Sequence, residues 1–165
     1  GGAKEEVDRF RKELGVDTID IVLIHCVTNP QWPDELKRVC DELSEQKEKG
    51  AVRAVGASFH NFEALKVAAE NPWGDVILAR INHAGKSMDA SPDDVSKILH
   101  KARNNGKCLL GMKIFGEGKL IEPDQKAASM KYVWGNKLVD AMTIGMLSVQ
   151  EVDDSIMHIE KTFSA

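Results

Sequence analysis

Asp17-Thr18-Ile19-Asp20-Ile21-Val22-Leu23-Ile24-His25-Cys26 is the stretch whose reading decides the fold of this chain. An unbroken run of β-branched residues and leucine ends abruptly on a histidine. Apolar side chains at successive rather than alternate positions describe a strand covered on both faces, the habit of a parallel sheet. A histidine at the carboxyl end of such a strand lies where α/β barrels build their active sites.

Outward from that strand the chain repeats one plan of helix, strand and loop. Residues 3–14 predict a helix with Val7, Phe10 and Leu14 on one face, stopped at Gly15. After a loop from Cys26 to Pro33, Trp32-Pro33 opens a helix whose core face is Leu36, Val39, Cys40 and Leu43, closed by Gly50. The second strand is Val52 to Ala57, leading into Ser58-Phe59-His60-Asn61, with Asn61 as N-cap of a helix that ends at Asn71-Pro72. The third strand is Val76 to Ile81. A polar loop follows, and Ser91-Pro92-Asp93-Asp94 then marks a helix start: a capping side chain, a first-turn proline and first-turn acids. Cys108 to Phe115 predicts the fourth strand, followed by Gly116-Glu117-Gly118-Lys119. Gln125 to Trp134 predicts a helix, Asp140 to Met146 the fifth strand, and a last helix begins near Ser148 with Val152, Ile156 and Ile159 inward.

Five strands alternating with helices imply parallel βαβ crossovers. Pattern alone leaves two choices, an open doubly wound sheet or part of a (β/α)₈ barrel. A full barrel needs about 250 residues, against 165 here. With 42% hydrophobic and 29% charged residues and no linker, the chain is expected to form one domain, residues 1–165. A net charge of -4 carries no signature of binding nucleic acid or anionic membrane. Gly1-Gly2-Ala3-Lys4-Glu5-Glu6 does not read as a signal peptide, and no apolar run reaches 18 residues. Cys26, Cys40 and Cys108 read as reduced thiols of a cytoplasmic protein.

Four segments carry a resemblance. Leu14 to His25 looks like the aldo-keto reductase segment LGxDYIDLxLxH. Glu48 to Ser58 is similar to EEGKIRAIGVS, and Gly111 to Leu120 resembles AYSPLGxGxL. Met142 to Gly145 is similar to the final strand. They come in the family's order across nearly the whole chain, so the resemblance implies a partial (β/α)₈ TIM barrel, an α/β chain of parallel βα repeats matching the fourth to eighth units.

The activity implied is carbonyl reduction or alcohol oxidation on a small-molecule carbonyl substrate with NADP or NAD. In the family a tyrosine tuned by a lysine and an aspartate is the proton donor, because a phenol titrating near about 10 is a poor acid without neighbours. A histidine orients the carbonyl. His25 matches that histidine, and the family's tyrosine, aspartate and lysine fall before the matched part. The only tyrosine, Tyr132, lies in a predicted helix and reads as packing, so this chain alone is expected to be inactive. Ser58 matches the carboxamide-contacting serine, but the asparagine after it is Phe59. The next strand's glutamine falls on Leu78, and the nicotinamide-stacking tyrosine becomes Met112. Lys113, Phe115, Gly116 and Gly118 fall in the pyrophosphate loop, where glycines let backbone amides approach an anion. Ser148 falls at a helix N-terminus suited to an adenosine phosphate. Glu151 replaces the arginine that reads a 2′-phosphate, and Ser155 the adenine-contacting asparagine, so NADP preference is in question.

Two other readings of these residues remain. His25, Cys26, His60 and His83 follow consecutive strand ends and are candidate metal ligands. A non-catalytic barrel fragment that binds a partner or itself is the other, since an open barrel leaves two sheet edges uncovered and predicts self-association.

Overall fold

The computed structural model describes residues 2–163. Among them are five parallel strands in one sheet: β1 (Ile19–Val27), β2 (Val52–Phe59), β3 (Val76–Arg80), β4 (Cys108–Met112) and β5 (Ala141–Met142). Their spatial order is their order in sequence, β1-β2-β3-β4-β5, and the sheet is not closed. The helices are α1 (Ala3–Leu14), α2 (Trp32–Glu35), α3 (Lys37–Glu48), α4 (Phe62–Glu70), α5 (Pro92–Asn104), α6 (Pro123–Met130) and α7 (Val149–Phe163). A π-helical turn, Lys131–Gly135, continues α6.

The core lies between the helices and the sheet face built by Ala57, Phe59, Ile77, Ala79, Ile81 and Leu109, each at most 3% exposed. Trp32 packs edge-on against Phe59, their centroids 5.8 Å apart, which explains a phenylalanine immediately after Ser58. The opposite face carries Ile21, Leu23 and His25 of β1, then Ser58, Leu78 and Leu110, as the alternation along each strand requires. Strands β2 and β3 approach so closely that a Cβ on Gly56 would sit 1.9 Å from the Val76 carbonyl oxygen.

The expected elements are present; β1 and β2 run two residues further than expected, to Val27 and Phe59, β3 ends one residue early at Arg80, and five larger differences follow. β4 stops at Met112 rather than Phe115, because Lys113 takes φ 60° and turns the chain. β5 is limited to two residues beside its single neighbour, β4. The helix opened by Trp32 breaks at Leu36 (φ −102°, ψ 11°), giving α2 and α3. The helix expected over residues 125–134 starts at Pro123 and changes to the π-helical turn after Met130. On α7 Ile159 packs against the core as expected and the buried side chains are Ser155 and His158, while Val152 and Ile156 are 40% and 48% exposed.

Candidate functional site

Because all five strands are parallel, their carboxyl ends share one edge. β1 brings His25 there with its side chain exposed. Pairing then slips from Ile24 opposite Ala57 to Val27 opposite Phe59, a bulge with Cys26 at φ 59°. The bulged Cys26 N–H is not left open: it donates to Ser58 Oγ at 2.8 Å. Ser58 is 3% exposed, so its oxygen is fixed by β1 while its own proton has no acceptor among the described residues.

His60 lies one residue past β2, in line with Gly56 and Ser58. Its ring meets that of His25 edge to face, with centroids 6.1 Å apart. Arg80, the last residue of β3, donates from Nη2 to His60 Nδ1 and from Nη1 to Asp89 at 3.1 Å. Burial, then the Arg80 charge, holds the His60 imidazole below its usual range. Burial also pushes the Asp89 carboxyl up, against the pull of Arg80 and His60.

Past β4, Lys113 pairs with Glu117 at 2.6 Å. Gly116 N–H closes a turn onto the Lys113 carbonyl at 2.8 Å, and Gly116, Glu117 and Gly118 all have positive φ. The amides of Glu117 and Gly118 have no acceptor among the described residues. Phe115 is half-buried, with the Lys126 ammonium 5.6 Å from its ring centre. Asn82, fully buried, ties this loop to the one after β3 by donating to the carbonyls of Lys86 (2.8 Å) and Lys113 (3.0 Å).

Ser148 caps α7: its Oγ accepts the Glu151 N–H at 3.2 Å, while Glu151 Oε2 takes the Leu147 N–H at 2.6 Å. Only half of a capping box is made, since Glu151 accepts from the residue before the cap rather than from Ser148 itself, but the carboxylate still lies at the start of the helix. Tyr132 is a packing residue, as expected, half-buried with its hydroxyl on Ser96 Oγ at 2.8 Å.

The structure thus gathers His25, Ser58 and His60 at neighbouring strand ends, with the Lys113–Gly118 loop after β4. Ser148 follows β5 and makes no hydrogen bond to that group. Sequence reading missed Arg80, Asn82 and Asp89. Arg80 had a signal, a lone charge inside the apolar run Val76–Ile81; the two loop residues had none. The metal reading is not what the structure assembles. No three His, Cys, Asp or Glu side chains converge among the described residues, and a guanidinium occupies His60 Nδ1. No helix among the described residues is long and apolar enough to cross a membrane.

Residues 1–162 match the family model described as aldo/keto reductase family. Over 105 residues, 62% of this chain, the sequence is 29% identical to the NADH-specific methylglyoxal reductase of Escherichia coli (strain K12), of which it spans 30%. Among solved structures, a Pseudomonas aeruginosa protein assigned to the aldo-keto reductases superposes with a TM-score of 0.79 at 22% identity. That match covers 98% of this chain and 59% of that one. The apo form of aldo-keto reductase AKR11C1 from Bacillus halodurans gives 0.74 at 16%, covering 96% and 62%. These likenesses show the fold, that of part of an aldo-keto reductase barrel. With the family's model matched over all but the last three residues, the chain belongs to the aldo/keto reductase family.

Proposed function

We propose that the carboxyl edge of this sheet forms the carbonyl-orienting and nucleotide-holding part of an NAD(P)-dependent oxidoreductase site. Its substrates are small-molecule carbonyls or the corresponding alcohols. The observation that carries this reading is the exposed His25 imidazole at the end of β1, beside His60 and adjoining the fixed Ser58 hydroxyl. His25 presents a ring N–H to the carbonyl oxygen and sets the orientation of the carbon to be reduced.

The residues present suit a nicotinamide dinucleotide. Ser58 retains a hydroxyl proton for a carboxamide oxygen. The open amides of Glu117 and Gly118, in a loop of positive φ, suit a pyrophosphate. Lys113 and Phe115 frame that loop, Gly116 and Gly118 give it its shape, and Ser148 starts α7. Bound there, the reduced nicotinamide would supply a hydride to the carbonyl carbon.

Glu151 favours NAD over NADP. Its carboxylate already lies at the start of α7, held by the Leu147 N–H, so a 2′-phosphate near that terminus meets a like charge. The Escherichia coli relative, named as NADH-specific, supports the same direction. Because the Tyr132 hydroxyl is held on Ser96, no phenol of the described residues adjoins His25, and this chain unaided is expected to have negligible turnover.

Calorimetric titration with NADH and with NADPH tests the reading. NADH is expected to bind at micromolar concentration and more tightly than NADPH, with Glu151→Gln narrowing the difference and Ser58→Ala weakening both. No binding of either nucleotide overturns it. NADPH oxidation with a reactive aldehyde, abolished by His25→Ala, would instead overturn the expected inactivity.

A second reading, self-association, is favoured by β1 and β5 each having one strand neighbour and by Leu147 and Val149 being 97% and 78% exposed. Sedimentation at micromolar concentration is expected to show a dimer or larger species; a sharp monomer excludes it.

A further inference from the structure

His25 is not the only imidazole at the mouth of the site. His60 lies beside it on the adjacent strand end, and three contacts restrict what its nitrogens can do. Arg80 donates from Nη2 to His60 Nδ1. A guanidinium has donors only and keeps its proton throughout the physiological range. Nδ1 must therefore be the acceptor, and in a neutral ring the proton sits on Nε2. Asp89 fixes the guanidinium from the other side through Nη1 at 3.1 Å. Nε2 makes no hydrogen bond to the described residues and is not among the buried unsatisfied atoms, so it is reached by solvent.

We propose that His60 is a second carbonyl-orienting donor, presenting Nε2–H to the same oxygen as His25, with Arg80 and Asp89 as the positioning residues that fix its tautomer. The proposal rests on the carbonyl oxidoreductase reading. The distance permits it. With hydrogen bonds of about 2.9 Å, an oxygen lies about 4 Å from each ring centroid. Centroids 6.1 Å apart leave room for one oxygen between them.

The electrostatic surroundings keep this donor neutral. His60 is faced by His25 from β1, Arg80 from β3, Lys113 from the end of β4 and Asp89 from the loop after β3. Burial acts first and Arg80 next, His25 and Lys113 push the same way, Asp89 alone acts the other way, and the net direction is down. A neutral imidazole polarises a carbonyl without acting as a strong acid toward it. Two such donors fix the plane of the carbonyl where one leaves it free to rotate.

The test is nitrogen-15 NMR of the whole chain labelled at histidine. The wild type is expected to show His60 as the Nε2–H tautomer between about pH 8 and about pH 6, on both sides of the unperturbed imidazole value. Arg80→Gln is expected to give a mixture of tautomers and to move protonation toward higher pH. In the chain saturated with NADH, isobutyramide, whose amide carbonyl does not accept a hydride, is expected to shift the His25 and His60 Nε2 resonances saturably. An Nδ1–H tautomer in the wild type overturns the proposal, and that spectrum does not depend on the variant folding. An unchanged tautomer in folded Arg80→Gln, or a His60 signal unmoved by the amide in the NADH complex, overturns it as well. Failure of NADH to bind in the calorimeter instead overturns the oxidoreductase reading and the donor role with it, while the nucleotide-free spectrum still reports the tautomer.

Discussion

The two edges of the sheet are built by opposite rules. At the amino edge, polar groups are spent on holding strands together. Asp75, just before β3, accepts the Val55 N–H of β2 at 3.0 Å and pairs with Lys47 at 2.7 Å. Asp140, just before β5, repeats the device, taking the Leu109 N–H of β4 at 2.7 Å and pairing with Arg103 at 2.6 Å. Lys107, 8% exposed, donates to the carbonyls of Gly74 (2.6 Å) and Trp73 (3.1 Å). At the carboxyl edge, Cys26, Ser87, Lys113 and Glu117 take positive φ, and Arg80 Nε and His83 Nδ1 are buried without partners among the described residues. Non-glycine residues at positive φ gather at the carboxyl edge, with Lys137 before β5 the one exception among the described residues, while paired carboxylates tie the strands on the far side.

The largest expected break in this contrast is Gly56→Ala. Its Cβ would meet the Val76 carbonyl at 1.9 Å, and backbone on both sides leaves no side chain to yield, so a loss of about 3 kcal/mol is expected in urea unfolding. Next is Asp75→Ala, which leaves the Val55 N–H unpaired and Lys47 without its carboxylate. About 2 kcal/mol is expected, with Asp75→Asn costing less; a change within error would show that the amino edge is not held by this residue.

The pH dependence sharpens the contrast by its sign. Burial pushes Asp75 and Asp140 up, but Lys47 with the Val55 N–H, and the Leu109 N–H with Arg103, outweigh it and hold both carboxyls below the ordinary range. Their contribution is present above the unfolded value of about 3.9 and is lost as pH falls through the folded one. Asp89 is raised, so its contribution runs the other way, complete at low pH and lost as pH rises through its folded value. Stability measured against pH is therefore expected to fall less steeply in acid for Asp75→Asn, and to lose the Asp89-linked gain on acidification in Asp89→Asn. Identical curves for both variants would remove the electrostatic difference between the edges.

The smallest effect is chemical. Cys26 at the carboxyl edge is exposed, whereas Cys40 is buried and its thiol is pushed up to about 11 by burial. Cys108 at the amino edge is also pushed up by burial. Maleimide is expected to label Cys26 first and Cys40 last, without unfolding the chain.

These edges were not equally legible in the sequence. Ile21 to Ile24 and Val76 to Ile81 announce strands through apolar content alone, and Asn61 and Ser91 announce helix starts through capping; both caps accept the expected N–H. His25 and Ser58 were readable because each terminates such a run. The end of β4 was not, since Lys113-Ile114-Phe115 continues the strand's composition while the chain turns at Lys113. The inner face of α7 was read only at Ile159, because its fully buried groups, Ser155 and His158, are polar. Arg80 and Asp89 meet across a loop, and pairing at such range leaves no periodic trace.

Asn82 has a mechanical consequence. Its Oδ1 takes the N–H groups of Ala84 (3.2 Å) and Lys86 (3.0 Å), and its Nδ2 reaches Lys86 and Lys113. Every valence of one amide is used to rivet two loops that are 31 residues apart in the chain. Ser87 adds a second tie, its Oγ donating to the Gly116 carbonyl (3.4 Å) and accepting from Lys119 (3.0 Å), so a substitution at Asn82 is expected to loosen both loops without freeing them entirely.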